Sequence, residues 1–333
     1  MVIDNVMYHN IDDIMRTNQG IRLLRFNNEV LNSINPHARF MARAACNSEI
    51  RFCTPARTCF VSLMAEWQDA SVVVYYGDYV VFSDVIKKDV ITKLTLSVPE
   101  GIEGLYDEFF ENNVFKAGVW RIHLSNSIVT VCDIDTMNEP VRIPNENELP
   151  KKTMLSYGSS VSHGAGAIYN PLSYVNTLAR LLKTDCMAKG VGGACFAEKV
   201  IADDFKNRSD WDFGLFELGI NMIDRFSVDE FKNRFEYFAD AVYSTGKKAI
   251  FLTIFPCFRF YRADEYADKI VSFNDIIRKK CESLDKNRVL LVEGADVLTD
   301  TEMLTSDGIH PSTEGHAMMG YNLFELTKSF ING

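Results

Sequence analysis

The sequence predicts an α/β protein in which a β-sandwich precedes a parallel sheet covered by helices. Two observations carry that reading. Residues 1–145 hold short β-rich runs with tight turn punctuation and no long helical period, whereas from Lys151 onward apolar strand, loop and amphipathic helix alternate. A third observation sets the boundary: Val141-Arg-Ile-Pro-Asn-Glu-Asn-Glu-Leu-Pro150 is polar and punctuated by prolines, which bias preceding residues toward extended backbone. A stiff crossover is expected there, with one domain at 1–145 and a second at 146–333.

In the first half the β-rich runs are 50–52, 58–65, 71–82, 90–98, 119–124 and 128–132, with turn signals at Gly77-Asp78, Pro99-Glu-Gly101 and Ser125-Asn126. Residues 107–113 read as a helical excursion. Trp67, Tyr75, Tyr76, Tyr79 and Trp120 are candidates for a sugar-binding face, but aromatic residues in strands more commonly serve core and cross-strand packing, which is the expectation adopted.

In the second half the expected strands are 153–157, 185–190, 213–218, 248–255 and 289–292. Asn170-Pro171 reads as a cap and first-turn proline for the helix that follows, and Ser227-Val-Asp-Glu230 as a capping box opening a helix that Gly246 closes. Five parallel strands in this length suit a flavodoxin-like three-layer α/β/α sandwich, whose strand ends converge on one ligand-binding edge.

Composition excludes some partners. A net charge of -10 argues against a nucleic-acid backbone or an anionic membrane as the main partner, and no apolar run reaches spanning length. Met1-Val-Ile-Asp-Asn lacks the basic-then-apolar pattern of an export signal, so a cytoplasmic location is expected. The 8 cysteines are scattered without a Cys-x-x-Cys pair, which reads as free thiols.

Chemistry concentrates at four turns. In Met154-Leu-Ser-Tyr-Gly-Ser-Ser-Val-Ser-His-Gly164 an apolar run stops in small residues, a pattern that exposes a hydroxyl above a sheet edge; Ser160 is the candidate nucleophile. Gly190-Val-Gly-Gly-Ala194 lets backbone N–H groups approach a ligand closely. It is no dinucleotide fingerprint, because Cys195 occupies the last glycine position, and no phosphate loop, because Gly-Lys-Ser/Thr is missing. Glu217-Leu-Gly-Ile-Asn-Met222 offers the Asn221 carboxamide as an oxyanion donor. Ser306-Asp-Gly-Ile-His-Pro-Ser312 brings Asp307 and His310 together across one turn, as a base and its orienting acceptor require. A metal reading of that turn would have to draw on His316 and Glu314 and is set aside.

The ordered set of serine turn, glycine turn, asparagine turn and Asp-x-x-His resembles the SGNH or GDSL-type hydrolase family across residues 151–330. The resemblance implies Ser160 as nucleophile, Asp307 and His310 as its partners, and an oxyanion hole of Ser160 N–H, Gly193 N–H and Asn221. Two positions depart from the common pattern: Ser159 stands where Asp is usual, and Met222 where Asp usually follows Asn. A preceding, jelly-roll-like sandwich also resembles the two-domain carbohydrate esterases and related acyltransferases. The resemblance implies a serine esterase for short acyl esters, acetyl foremost, on a small-molecule or carbohydrate alcohol, with no cofactor. The alternatives are acyl transfer on the same fold, or a carbohydrate-binding protein with an inactive hydrolase domain. His163, close to Ser160, either faces substrate or packs against the loop, and His310 is preferred as base because Asp307 partners it. His9, His37, His123 and His316 receive no role.

Overall fold

The structure, a computed structural model, describes residues 1–262 and 265–333. Two antiparallel sheets face one another in the first half. One contains β1 (Val2–Ile3), β2 (Val6–His9), β5 (Glu49–Phe52), β7 (Ala70–Tyr76), β8 (Tyr79–Ile86) and β10 (Trp120–Leu124), in the order β1-β2-β5-β10-β7-β8. The other contains β3 (Asp13–Thr17), β4 (Gly20–Leu24), β6 (Thr58–Ala65), β9 (Thr92–Ser97) and β11 (Val129–Asp135), in the order β3-β4-β11-β6-β9. Alternation sorts the faces. Trp120, Ile122 and Leu124 of β10 meet Val61 and Leu63 of β6 and Leu94 and Leu96 of β9 in the sandwich core. Arg121 and His123, between them in sequence, take the opposite face.

The expected run at 71–82 is a hairpin, β7 and β8, turning at Gly77 and Asp78. The aromatics pack as expected: Trp120 is buried, Tyr76 meets its edge at 4.8 Å, and Trp67 meets Phe40 at 4.6 Å. Residues 107–113 contain only a short 3-10 turn, Asp107–Phe110. Strands β1 to β4 and two short helices, α1 (Asn28–Ser33) and α2 (Pro36–Ala42), lie outside the expected elements. Both helices are capped by asparagine: Asn27 accepts from the Val30 N–H and Asn35 from the Ala38 N–H.

The second half is a parallel sheet of β12 (Thr153–Tyr157), β13 (Asp185–Ala188), β14 (Phe213–Glu217), β15 (Lys248–Leu252) and β16 (Val289–Val292), in the order β13-β12-β14-β15-β16. Its helices are α3 (Ser160–His163), α4 (Tyr174–Leu181), α5 (Lys199–Asn207), α6 (Val228–Tyr243), α7 (Glu265–Glu282), α8 (Gly294–Val297) and α9 (Thr313–Asn332). Met154, Leu215 and Ile250 point to α4 and α9, while Leu155, Phe216 and Phe251 point to α5, α6 and α7. This is the expected three-layer arrangement. The strand order reverses at β12, so the edge above β12 is the place where such sheets bind ligands. One local expectation changes: Asn170-Pro171 opens a 3-10 turn, Ser173 holds the N-cap position of α4 without a side-chain capping bond, and Asn170 donates from Nδ2 to the His163 carbonyl at 2.9 Å.

The two halves share apolar core. Leu24, Phe26, Val30, Leu31, Ile34, Ala38 and Ala42 pack in one cluster with Leu155, Val191 and Phe205. Arg25, fully buried, ties the halves further: its guanidinium donates to the carbonyls of Ala44 (2.7 Å), Met41 (3.0 Å), Gly190 (3.0 Å) and Ala188 (3.2 Å). Arg51 pairs with Asp185 at 2.6 Å, and Asp12 with Arg208 at 2.6 Å and Lys189 at 3.0 Å. The connection through Arg142 is pinned to Cys53 by reciprocal backbone hydrogen bonds of 2.8 and 3.0 Å. Among the described residues no helix is long and apolar enough to cross a membrane.

Candidate active site

β12 ends at Tyr157 and the chain turns through Gly158 and Ser159 into α3, whose first residue is Ser160. The turn has no room for a side chain at 158, because a Cβ there would sit 2.7 Å from Glu217 Oε2 and against Ser162 Oγ. Ser159 is the N-cap, its Oγ accepting from the Val161 N–H at 3.2 Å.

Ser160 Oγ lies 2.7 Å from His310 Nε2, and His310 Nδ1 lies 2.7 Å from Asp307 Oδ2. Asp307 Oδ1 also accepts from the N–H groups of Ile309 (2.8 Å) and His310 (3.0 Å), which locks the turn. Burial would raise the Asp307 carboxyl, but these hydrogen bonds, led by that from the imidazole, outweigh it and hold the group well below the usual carboxylate range. An ionised Asp307 accepts a hydrogen bond from Nδ1–H, which leaves Nε2 as the acceptor facing the Ser160 hydroxyl.

The glycine turn lies against this pair. The position of a Cβ on Gly192 is 3.5 Å from Ser160 Cβ and 3.3 Å from Met41 Cε, and that on Gly193 is 3.0 Å from His37 Cε1. Gly193 has φ +68°, a left-handed conformation that suits glycine. Asn221 is joined to the same turn, its Oδ1 accepting from the Cys195 N–H at 3.1 Å, which orients Nδ2 away. Among the described residues, the N–H groups of Ser160 and Gly193 and the Nδ2 of Asn221 show no protein acceptor. Met222 is fully buried in the apolar core, where an Asp would go unpaired.

Three histidines near the turn are resolved by their contacts. His163 packs against the loop: it is buried, its Nε2 is 3.4 Å from Arg25 Nη2, and burial together with that guanidinium holds it well below its ordinary value. His316 accepts the Tyr174 N–H on Nδ1 at 3.2 Å and donates from Nε2 to the Ala165 carbonyl at 2.9 Å. Burial lowers it to about 4, so it is a neutral structural bridge. His37, given no role from the sequence, borders Gly193. No group of three metal-binding side chains occurs among the described residues.

Glu217 was missed by sequence reasoning. It ends β14, is 2% exposed, and its Oε2 accepts from the Ser159 N–H at 2.8 Å and from Ser162 Oγ at 3.1 Å. Burial pushes this carboxyl up to about 7. The signal available was an acidic residue closing an otherwise apolar strand.

Beside His310 lies a polar hollow of about 280 Å³, walled by Gln68, Asp69, Ser125 and Asn126 of the sandwich and by residues 163–168 and 170. Gly166, in that wall, places a Cβ position 3.4 Å from His310 Cβ. Neither this hollow nor the larger open cleft, about 880 Å³ between α1, α5 and α6, is lined by Ser160 or His310; the hollow adjoins His310 through Gly166.

Residues 156–318 match the GDSL-like lipase/acylhydrolase family. No curated protein matches the sequence. Among solved structures, a salicylyl-acyltransferase from a tetracycline biosynthetic pathway is 14% identical, with TM-score 0.81 over 98% of this chain and 94% of the other. A family two carbohydrate esterase from Clostridium thermocellum, in complex with cellohexaose, is 13% identical, with TM-score 0.66 over 98% and 99%. An acetyl xylan esterase from the rumen bacterium Butyrivibrio proteoclasticus is 10% identical, with TM-score 0.61 over 100% and 97%. At these identities the likeness is one of fold, and it extends through both halves. The C-terminal region, with its serine turn and Asp-x-x-His turn on one sheet edge, is a domain of the GDSL-like lipase/acylhydrolase family.

Proposed function

We propose that this protein is a serine esterase that removes a short acyl group, acetyl foremost, from an oxygen of a carbohydrate-like alcohol. The observation carrying the reading is the unbroken relay from Ser160 Oγ through His310 to Asp307, 2.7 Å at each contact. Ser160 attacks the ester carbonyl while His310 Nε2 takes its proton, and Asp307 stabilises the resulting imidazolium. Charge developing on the carbonyl oxygen is met by the N–H groups of Ser160 and Gly193 and by Asn221 Nδ2. The C–O bond to the alcohol then breaks, the alcohol leaving with the His310 proton. Water, activated by His310, repeats the sequence on the acyl-enzyme and releases the acid.

The alcohol would occupy the hollow beside His310, whose polar walls suit a polyhydroxylated group. The cellohexaose bound by one similar esterase and the acetyl xylan named for another agree with that choice. One observation favours a second reading, transfer to another alcohol in place of water: the fold likeness to an acyltransferase. The intact relay supports both enzymes over an inactive binding protein.

The test is a screen of chromogenic acetate, butyrate and octanoate esters with and without a competing alcohol. Hydrolysis of acetate fastest, with little alcohol adduct, is the expected result, and a dominant adduct would favour transfer. A fluorophosphonate should label Ser160 and lose that label in His310→Ala; absence of labelling in the wild type would reject the nucleophile. Asn221→Ala should lower kcat by about 10²–10³ with a smaller change in KM, because the donor matters most once charge has developed. A loss confined to KM would reassign Asn221 to ground-state binding.

A further inference from the structure

Glu217 is the one carboxyl whose described hydrogen bonds converge on the residues flanking Ser160. Its Oε2 accepts from the backbone N–H of Ser159, the residue before Ser160, and from the hydroxyl of Ser162, two residues after it. Ser162 Oγ is itself 2.6 Å from the Tyr174 hydroxyl, so the contact continues into α4. The chain has made room for this group, since any side chain at 158 would collide with Oε2. Burying a carboxyl without a cation is costly, and no cation is among the groups that act on it; the titratable groups facing it are Tyr174 of α4 and Cys195 of the loop after β13. Burial holds both of those protonated. An apolar side chain at 217 would fill the strand end without that cost, yet would leave the Ser159 N–H without its acceptor.

We infer that Glu217 is a positioning residue for the reaction: contributed by β14, it fixes the turn that carries Ser160 and thereby sets where the hydroxyl and the Ser160 N–H point. The inference rests on Ser160 as nucleophile. It also accounts for Ser159. A turn with a neutral N-cap serine takes its carboxyl from the neighbouring strand, 58 residues later in the chain. Misplacement of a reacting atom by about 1 Å costs on the order of 10²-fold, which is the scale expected when this hold is lost.

The experiment compares full-length wild type, Glu217→Ala and Glu217→Gln, with kcat and KM on an aryl acetate and the rate of Ser160 labelling by a fluorophosphonate. Glu217→Ala should lose about 10²-fold in kcat and in labelling rate, with KM within about twofold. Glu217→Gln keeps an acceptor at the same place and should stay within a few-fold of wild type. A merely structural role would lower the melting temperature of Glu217→Ala while leaving kcat per labelled site unchanged, and that result overturns the inference. Should Glu217→Ala not fold, a loss of about 10²-fold or more in kcat and labelling rate for a folded Glu217→Gln, which keeps the acceptor, overturns it equally. If the wild type is not labelled, the esterase reading falls and the positioning role falls with it; if the wild type labels and Glu217→Ala labels as fast, only the positioning role falls.

Discussion

Asp307 and Glu217 each reach Ser160 through one intervening group, the first through the His310 ring and the second through the Ser159 backbone. Their surroundings differ in kind. The Asp307 side chain is 49% exposed and gathers N–H donors from its own turn, so its charge is solvated and hydrogen-bonded and its carboxyl stays low. Glu217 is buried, accepts hydrogen bonds from two serines, and its carboxyl rises to about 7. The lesson is that hydrogen-bond number alone does not decide ionisation. Donors offset desolvation when water still reaches the group, and fail to do so when it is fully buried. One carboxyl is therefore suited to meeting a cationic imidazole, and the other to holding a turn without adding charge beneath it.

The sharpest way to break this comparison is Asp307→Asn. An amide preserves the shape but holds the wrong imidazole tautomer, so kcat should fall about 10⁴-fold. It should remain less damaging than His310→Ala, and a loss of less than about tenfold would remove Asp307 from the relay. Stability against pH gives a smaller effect that sharpens the contrast. Glu217 binds its proton more tightly folded than unfolded, so its stabilising contribution is complete below pH 4.5 and is lost as pH rises to about 7. That shift corresponds to about 3 kcal/mol, which urea melts of wild type and Glu217→Gln at pH 4.5 and 7.5 should reveal as a difference in slope. Parallel pH dependences would place the ionisation elsewhere. The smallest effect is that of Asp307→Asn on stability. The side chain is half exposed, so the change at neutral pH should be within about 1 kcal/mol. Its own contribution, from a lowered carboxyl, is lost only in strong acid, outside the window in which Glu217 titrates.

The parallel sheet was legible because each of its strands is an apolar run stopped by a turn, and β12 and β16 fall on the expected residues. Ser160, Asp307 and His310 could be proposed together because each occupies a turn at the end of a run, and the structure brings those three side chains into contact, whereas Gly193 and Asn221 were joined to them through the family resemblance. The first four strands were not: β1 has 2 residues, and β3 carries Asp, Arg and Thr with an exposed middle, so neither shows a period. Helices α1 and α2, of 6 and 7 residues, are too short for helical periodicity to emerge. Their capping asparagines were readable in principle, Asn35-Pro36 above all. Glu217 was illegible for a different reason. A carboxyl at a strand end reads as the start of a solvated loop, and its burial depends on Gly158, Ser159 and Ser162, remote in sequence.

Arg25 carries a consequence for how the molecule comes apart. The carbonyls of Ala188 and Gly190, which lead into the glycine turn, receive hydrogen bonds from a side chain of the other half, and removing that half would leave them facing an emptied, apolar cleft. The sandwich and the parallel sheet are therefore expected to depend on one another for stability. Heat should melt them as one cooperative unit, and amide hydrogens of β4 and β13 should exchange with the same opening free energy although they belong to different sheets.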